Sequence, residues 1–114
     1  MELRSDQFPD RLLVTVLGKR IDAASAIQFK DQMRALTADA PNRVILDLEQ
    51  VEFVDSSGLG AIVASMKQLA PDQKLELAAL SPTVDKVFRL TRMDTVFTIH
   101  KSVAAAANDA SQVE

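Results

Sequence analysis

The sequence predicts an α/β fold, with a mixed, mostly parallel sheet of four to five strands and about four helices. Three observations lead there. Branched apolar runs alternate with segments whose apolar residues recur at helical spacing. Their order, β-β-α-β-α-β-α-β-α, calls for crossover connections between parallel neighbours. The chain has 114 residues, 47% hydrophobic and 25% charged, which suits one ordinary core and leaves no room for two. It therefore reads as a single domain over residues 1–114, with a core at about 3–108.

Arg11-Leu12-Leu13-Val14-Thr15-Val16-Leu17 is rich in branched residues and stops at Gly18, so it reads as a strand. Leu3 to Phe8 precedes it as a short edge strand, with Pro9-Asp10 as the turn. The two are close enough to form a hairpin, which makes one edge of the sheet antiparallel. Asp22 is a good N-cap for a helix over Ala23 to Ala38, in which Ala26, Phe29, Met33 and Leu36 form one stripe. Pro41-Asn42 breaks the chain.

Val44-Ile45-Leu46-Asp47-Leu48 is a second strand, and its unbroken apolar run predicts burial on both faces. Val51 to Val54 leads to a helix over Gly58 to Leu69, whose apolar face is Leu59, Ile62, Val63, Met66 and Leu69. Lys74 to Ala79 is a third inner strand. Ser81-Pro82 places a capping residue before a proline at the first helical position, where its missing N–H costs nothing. That short helix ends near Leu90 and turns Val84, Val87 and Phe88 inward. Thr95 to Ile99 is a last strand, Val103 to Ala107 a C-terminal helix, and 109–114 a frayed tail.

Composition excludes several function classes. There is no cysteine, hence no disulfide, thiolate metal site or cysteine nucleophile; this fits a reducing cytoplasm. The net charge of -3 and the absence of Tyr and Trp disfavour nucleic acid as a partner. No apolar run approaches the ~20 residues that span a bilayer, and the N-terminus has no signal-peptide core. The expectation is a cytoplasmic protein without a membrane partner.

His100 is the one histidine, so a multi-histidine metal site cannot be assembled in one chain. A Ser-His-Asp triad would need a serine turn of the Gly-x-Ser-x-Gly kind, whereas the serines here sit in Val54-Asp55-Ser56-Ser57-Gly58. His100 reads as a partly exposed residue at a strand end. Gly18, Gly58 and Gly60 cannot make a Walker loop or a dinucleotide turn. Asp47 and Glu49 read as a solvated turn, and Lys19-Arg20 as a solvated loop. No catalytic residue, metal or cofactor is expected.

One segment stands apart: Phe53-Val54-Asp55-Ser56-Ser57-Gly58-Leu59-Gly60, between a buried strand and an apolar helix. Asp and Ser are favoured N-caps, which alone explains Asp55, Ser56 and Ser57. The glycines need a further reason, since each costs about 1 kcal/mol against alanine in a helix. Small residues leave a helix N-terminus bare, so that another surface can approach the serines. The free N–H groups at this end also suit a phosphate.

The string Asp55-Ser56-Ser57-Gly58-Leu59-Gly60 resembles the phosphorylation motif of the anti-sigma factor antagonists, in the STAS family. The resemblance covers nearly the whole chain. Gly18-x-x-Ile21-Asp22 looks like the Gly-x-Leu-Asp that opens the family's first helix. Val44 to Leu48 matches the strand before the motif, and Leu80-Ser81-Pro82-x-Val84-x-x-Val87-Phe88 the later helix. The loop from Gly18 to Asp22 departs from the pattern: it is one residue longer, and basic where acidic or neutral residues are common.

The resemblance implies a partner switch. The unphosphorylated antagonist binds an anti-sigma factor and so frees a sigma factor; the anti-sigma factor is also the serine kinase, and a phosphatase resets the serine. The implied acceptor is Ser56, and the implied partner surface is Asp22, Asp55, Ser56, Ser57, Gly58 and Gly60. An alternative is a STAS subunit of a larger assembly, such as a lipid-transport complex or sensory scaffold. A permanent subunit of that kind needs no acceptor hydroxyl.

Overall fold

A computed structural model describes residues 1–109. The five-stranded sheet runs in the order β1-β2-β4-β6-β7. Strand β1 (Leu3–Gln7) is antiparallel to β2 (Arg11–Val16). Strands β2, β4 (Arg43–Asp47), β6 (Lys74–Ala78) and β7 (Thr98–His100) are parallel. The expected antiparallel edge and parallel interior are both present. A second sheet consists only of β3 (Arg20–Ile21) beside β5 (Phe53–Val54), paired in parallel.

The alternation along β4 explains its unbroken apolar run. Val44 and Leu46 enter the main core, while Ile45 points to the other face. The main core is filled by Phe29 and Met33 of α1 (Ala26–Thr37), Ile62 of α2 (Ser56–Lys67), and Val84 and Phe88 of α3 (Pro82–Leu90). The smaller opposite cluster joins Ile45 and Ala78 to Ala106 of α4 (Val103–Asp109). Phe88 meets Phe97 edge to face, with ring centroids 6.1 Å apart.

Several boundaries differ from expectation, each for a local reason. Helix α1 starts at Ala26 rather than Ala23, because residues 22–25 close a side-chain-bonded turn first. Helix α2 starts at Ser56 rather than Gly58, because Asp55 caps it two residues earlier. The last strand begins at Thr98 rather than Thr95: a 3₁₀ turn over Met93–Thr95 takes up the chain, with Arg89 bonded to both Asp85 and Asp94. Helix α4 extends to Asp109. The rest of the expected tail, residues 110–114, lies outside the described residues.

Asp47 is less solvated than its position suggested, while His100 is partly exposed at the end of β7, as expected, with its side chain turned inward. Asp47 is buried, and its Oδ1 accepts the Glu49 N–H at 3.0 Å, closing the turn after β4. The His100 side chain folds inward and donates through Nε2 to Glu76 Oε1 at 2.7 Å. Arg43 grips the same carboxylate with two bonds, 2.8 and 2.7 Å, and also donates to the Ala106 carbonyl. One carboxylate on β6 thus ties both neighbouring strands together, and Arg43 extends the link to α4.

Burial pushes the Glu76 carboxyl up, and the bonds from Arg43 and His100 more than offset this, holding it below its ordinary value. A carboxyl lowered by folding stabilises the fold above its unfolded value, and that stabilisation disappears as pH falls through the folded one. Denaturant titration from neutral pH to about pH 3 should therefore show stability falling with acid, and Glu76→Gln should flatten that slope. At neutral pH, Glu76→Ala should cost roughly 3 kcal/mol, since it removes a largely buried carboxylate that accepts from both Arg43 and His100. An unchanged acid slope in Glu76→Gln would remove Glu76 from the explanation.

Candidate functional site

The site lies where the loops after β2 and β4 meet. The Lys19 carbonyl accepts the N–H groups of Glu52 and Phe53, at 2.7 and 3.2 Å, and Ile21 accepts that of Asp55 at 3.3 Å. This short parallel bridge pairs Arg20 with Phe53 and Ile21 with Val54. Ile21 and Val54 are buried in the main core. The intervening positions, Arg20, Asp22, Phe53 and Asp55, are at least partly exposed.

Asp55 is the N-cap of α2, in extended conformation, with Oδ1 accepting the Gly58 N–H at 2.8 Å. Its Oδ2 accepts the Ala23 N–H at 3.3 Å, so one carboxylate fastens both loops. The Ser56 and Ser57 side chains are exposed and form no hydrogen bond among the described residues. The caps expected of both serines are therefore absent; Asp55 does that work alone. Their backbone N–H groups, at the first two helical positions, have no partner within the helix.

The two glycines differ in purpose. A Cβ on Gly58 would overlap the Ile21 carbonyl oxygen and lie 2.6 Å from the carbonyl carbon. Gly58 is buried and lets α2 approach β3; it does not clear an outer surface. A Cβ on Gly60 would meet nothing within 4 Å, and Gly60 is exposed. The expectation that both glycines keep the outer surface clear is thus corrected for Gly58, which faces inward, while Gly60 lies on the outer side.

Asp22 is also reassigned. Its Oδ1 accepts from the Ala24 N–H and the Ser25 hydroxyl, at 3.1 and 3.2 Å, making a turn before the helix; Ser25 occupies the N-cap. Its Oδ2 accepts from Arg20 Nε at 3.1 Å. This bond is the main reason the Asp22 carboxyl lies below its ordinary value, with burial opposing and Ser25 and Ala24 assisting. The Arg20 guanidinium lies 4.2 Å from the centroid of the Phe53 ring. Arg20 is therefore not a free loop residue, as the sequence suggested. The β3–β5 pairing positions it, and two-residue strands leave almost no periodic signal.

The STAS domain family matches the chain over residues 4–106. The chain belongs to the STAS domain family. Among its relatives is BtrV of Bordetella bronchiseptica, named provisionally as an anti-sigma factor antagonist. It is 32% identical over 94% of this chain and 92% of its own length. An anti-sigma factor antagonist from Mycobacterium paratuberculosis has the same fold, with a TM-score of 0.84 at 24% identity, over 95% of this chain and 92% of that one. So does the Bacillus antagonist SpoIIAA in its unphosphorylated form, with a TM-score of 0.78 at 19% identity over 99% of each chain. No helix among the described residues is long and apolar enough to cross a membrane.

This STAS domain brings Asp22, Asp55, Ser56 and Ser57 to one rim and adds Arg20 and Phe53 to them. Gly58→Ala should destabilise the domain by about 1–3 kcal/mol through overpacking against Ile21. Gly60→Ala should instead stabilise it by up to about 1 kcal/mol, because alanine is the better helix former and has room. Denaturant midpoints of the two variants decide this. Equal effects would contradict the inner and outer assignment.

Proposed function

We propose that this STAS domain is an anti-sigma factor antagonist that works as a binding module without catalysis of its own. In its unphosphorylated form it binds an anti-sigma factor and so releases a sigma factor. Phosphorylation of Ser56 by that partner ends the binding, and a phosphatase restores it. The observation that carries this reading is the exposed Ser56 hydroxyl immediately after the cap of α2, on a chain of this family with a 32% identical relative of antagonist name. Phe53, a large apolar side chain at 38% exposure, stands on the rim and suits a protein partner.

In the transfer, the γ-phosphoryl group passes from ATP to Ser56 Oγ. ADP leaves, and the hydroxyl proton goes to a base on the kinase. The new group carries about -1.5 to -2 charges. The positive end of α2 and the free N–H groups of its first turn favour that charge, so the fold tolerates it. The partner does not: burying a dianion without a dedicated cation is costly. The switch thus acts at the interface and leaves the core intact.

Incubation with the kinase and ATP, followed by mass spectrometry, should place the phosphate on Ser56. Ser56→Ala should abolish labelling and Ser57→Ala leave a substantial part of it. Phospho-Ser56, and more weakly Ser56→Asp, should bind the anti-sigma factor far less while melting within a few degrees of the unmodified domain. Labelling confined to Ser57, or a melting loss large enough to explain the lost binding, would refute the scheme.

Asp22→Asn keeps the oxygen that closes the turn and removes the charge that faces Arg20. It should melt like the parent and bind the partner more weakly, as read by calorimetric titration. Normal affinity would leave Asp22 as a turn residue only.

A further inference from the structure

The charge balance around Ser56 raises a difficulty that the helix N-terminus alone does not remove. A phosphate there would stand beside the Asp55 carboxylate, and Asp22 is close by. The link is continuous. Asp55 Oδ2 holds the Ala23 N–H, and Asp22 Oδ1 holds the next one, that of Ala24. Two carboxylates on successive amides would repel a phosphate dianion unless a cation moved in. The adjoining loop supplies Lys19 and Arg20, both exposed. Arg20 is the one already held on the outer side of the β3–β5 bridge, between Asp22 and the Phe53 ring.

We propose that Arg20 is an internal phosphate receiver: when Ser56 is phosphorylated, its guanidinium moves from Asp22 to the phosphate. This rests on Ser56 being the acceptor. Three features support the movement. The Arg20–Asp22 pair is exposed on the arginine side, at 60% of the side chain, so breaking it costs little. The flat face of Phe53 supports the guanidinium while its N–H edges stay available for a second anion. A planar guanidinium binds a phosphate through two parallel bonds, and a dianion competes well against a single carboxylate oxygen.

The transfer gives phosphorylation a second effect. Besides adding charge at Ser56, it withdraws Arg20 from Asp22 and redraws the charge pattern of the neighbouring loop. A partner that reads an Arg20–Asp22 pair in the unmodified domain meets a bare Asp22 and a phosphate that still carries net negative charge in the modified one. Arg20 is a positioning and specificity residue in this scheme, and it does not touch the core.

The test needs no kinase. Phosphoserine is placed at position 56 during synthesis of the full chain, and its second ionisation is followed by phosphorus NMR in the parent, Arg20→Ala, Arg20→Lys and Lys19→Ala. The parent should ionise at a pH lower than Arg20→Ala by about half a unit or more, since a nearby cation favours the dianion. Arg20→Lys should fall between, as a point charge on a flexible stem replaces a fork. Lys19→Ala should follow the parent. Should Arg20→Ala disturb the amide spectrum, Arg20→Gln, which keeps most of the stem over Phe53, supplies the same comparison.

Identical titration of the parent and the neutral Arg20 variant would overturn the proposal. So would an equal shift in Lys19→Ala. Failure of the kinase to label Ser56 would instead strike the functional reading, which is decided separately.

Discussion

Everything at the rim depends on one close approach: Gly58, at the third position of α2, lies against the Ile21 carbonyl group. No side chain fits between them. Because the helix can come this near, Ile21 also accepts the Asp55 N–H, and Asp55 reaches across to Ala23. The two loops then behave as one surface. Its inner side is Ile21 and Val54, sealed in the core, and its outer side carries the charged and aromatic groups. The glycine penalty in the first turn is thus repaid in position, at a point where tertiary contact overrides helix propensity.

The sheet supplies the rigid support for that surface. Strands β2 and β4 are parallel neighbours, so the loops that follow them leave the same edge of the sheet and can meet. A crossover helix returns each chain to the next strand, and α1 and α2 pack side by side as a consequence. The Arg43–Glu76–His100 group fastens β4, β6 and β7. Its arginine also reaches α4 through Ala106. The charges that hold the sheet are therefore separate from those of the rim, and the rim can change charge while the sheet keeps its own.

The rim itself is built from weak, exposed interactions. The Arg20–Asp22 pair and the Arg20–Phe53 contact lie in solvent, where such contacts contribute little. Contacts of this kind rearrange far more readily than a packed core does. The strong contacts are those of backbone to backbone and of the Asp55 cap, and these keep the turn before α2 in place.

The sequence by itself determined the class of fold, the order of its main elements and the segment set apart before α2. Each of these rests on a local or periodic signal: the apolar stripe of Ala26, Phe29, Met33 and Leu36, the both-faces run of Val44 to Leu48, and Asp55 before a helix with Ser56 and Ser57. Tertiary structure alone decided which glycine faces inward, that Asp22 closes a turn instead of capping α1, that His100 leans on Glu76, and that Arg20 stacks on Phe53. The physical reason is distance along the chain. Gly58 and Ile21, or Arg20 and Phe53, are separated by more than thirty residues, and the strands that join them are two residues long. Two residues cannot display a period, so their pairing exists only once the sheet and helices have brought the loops together.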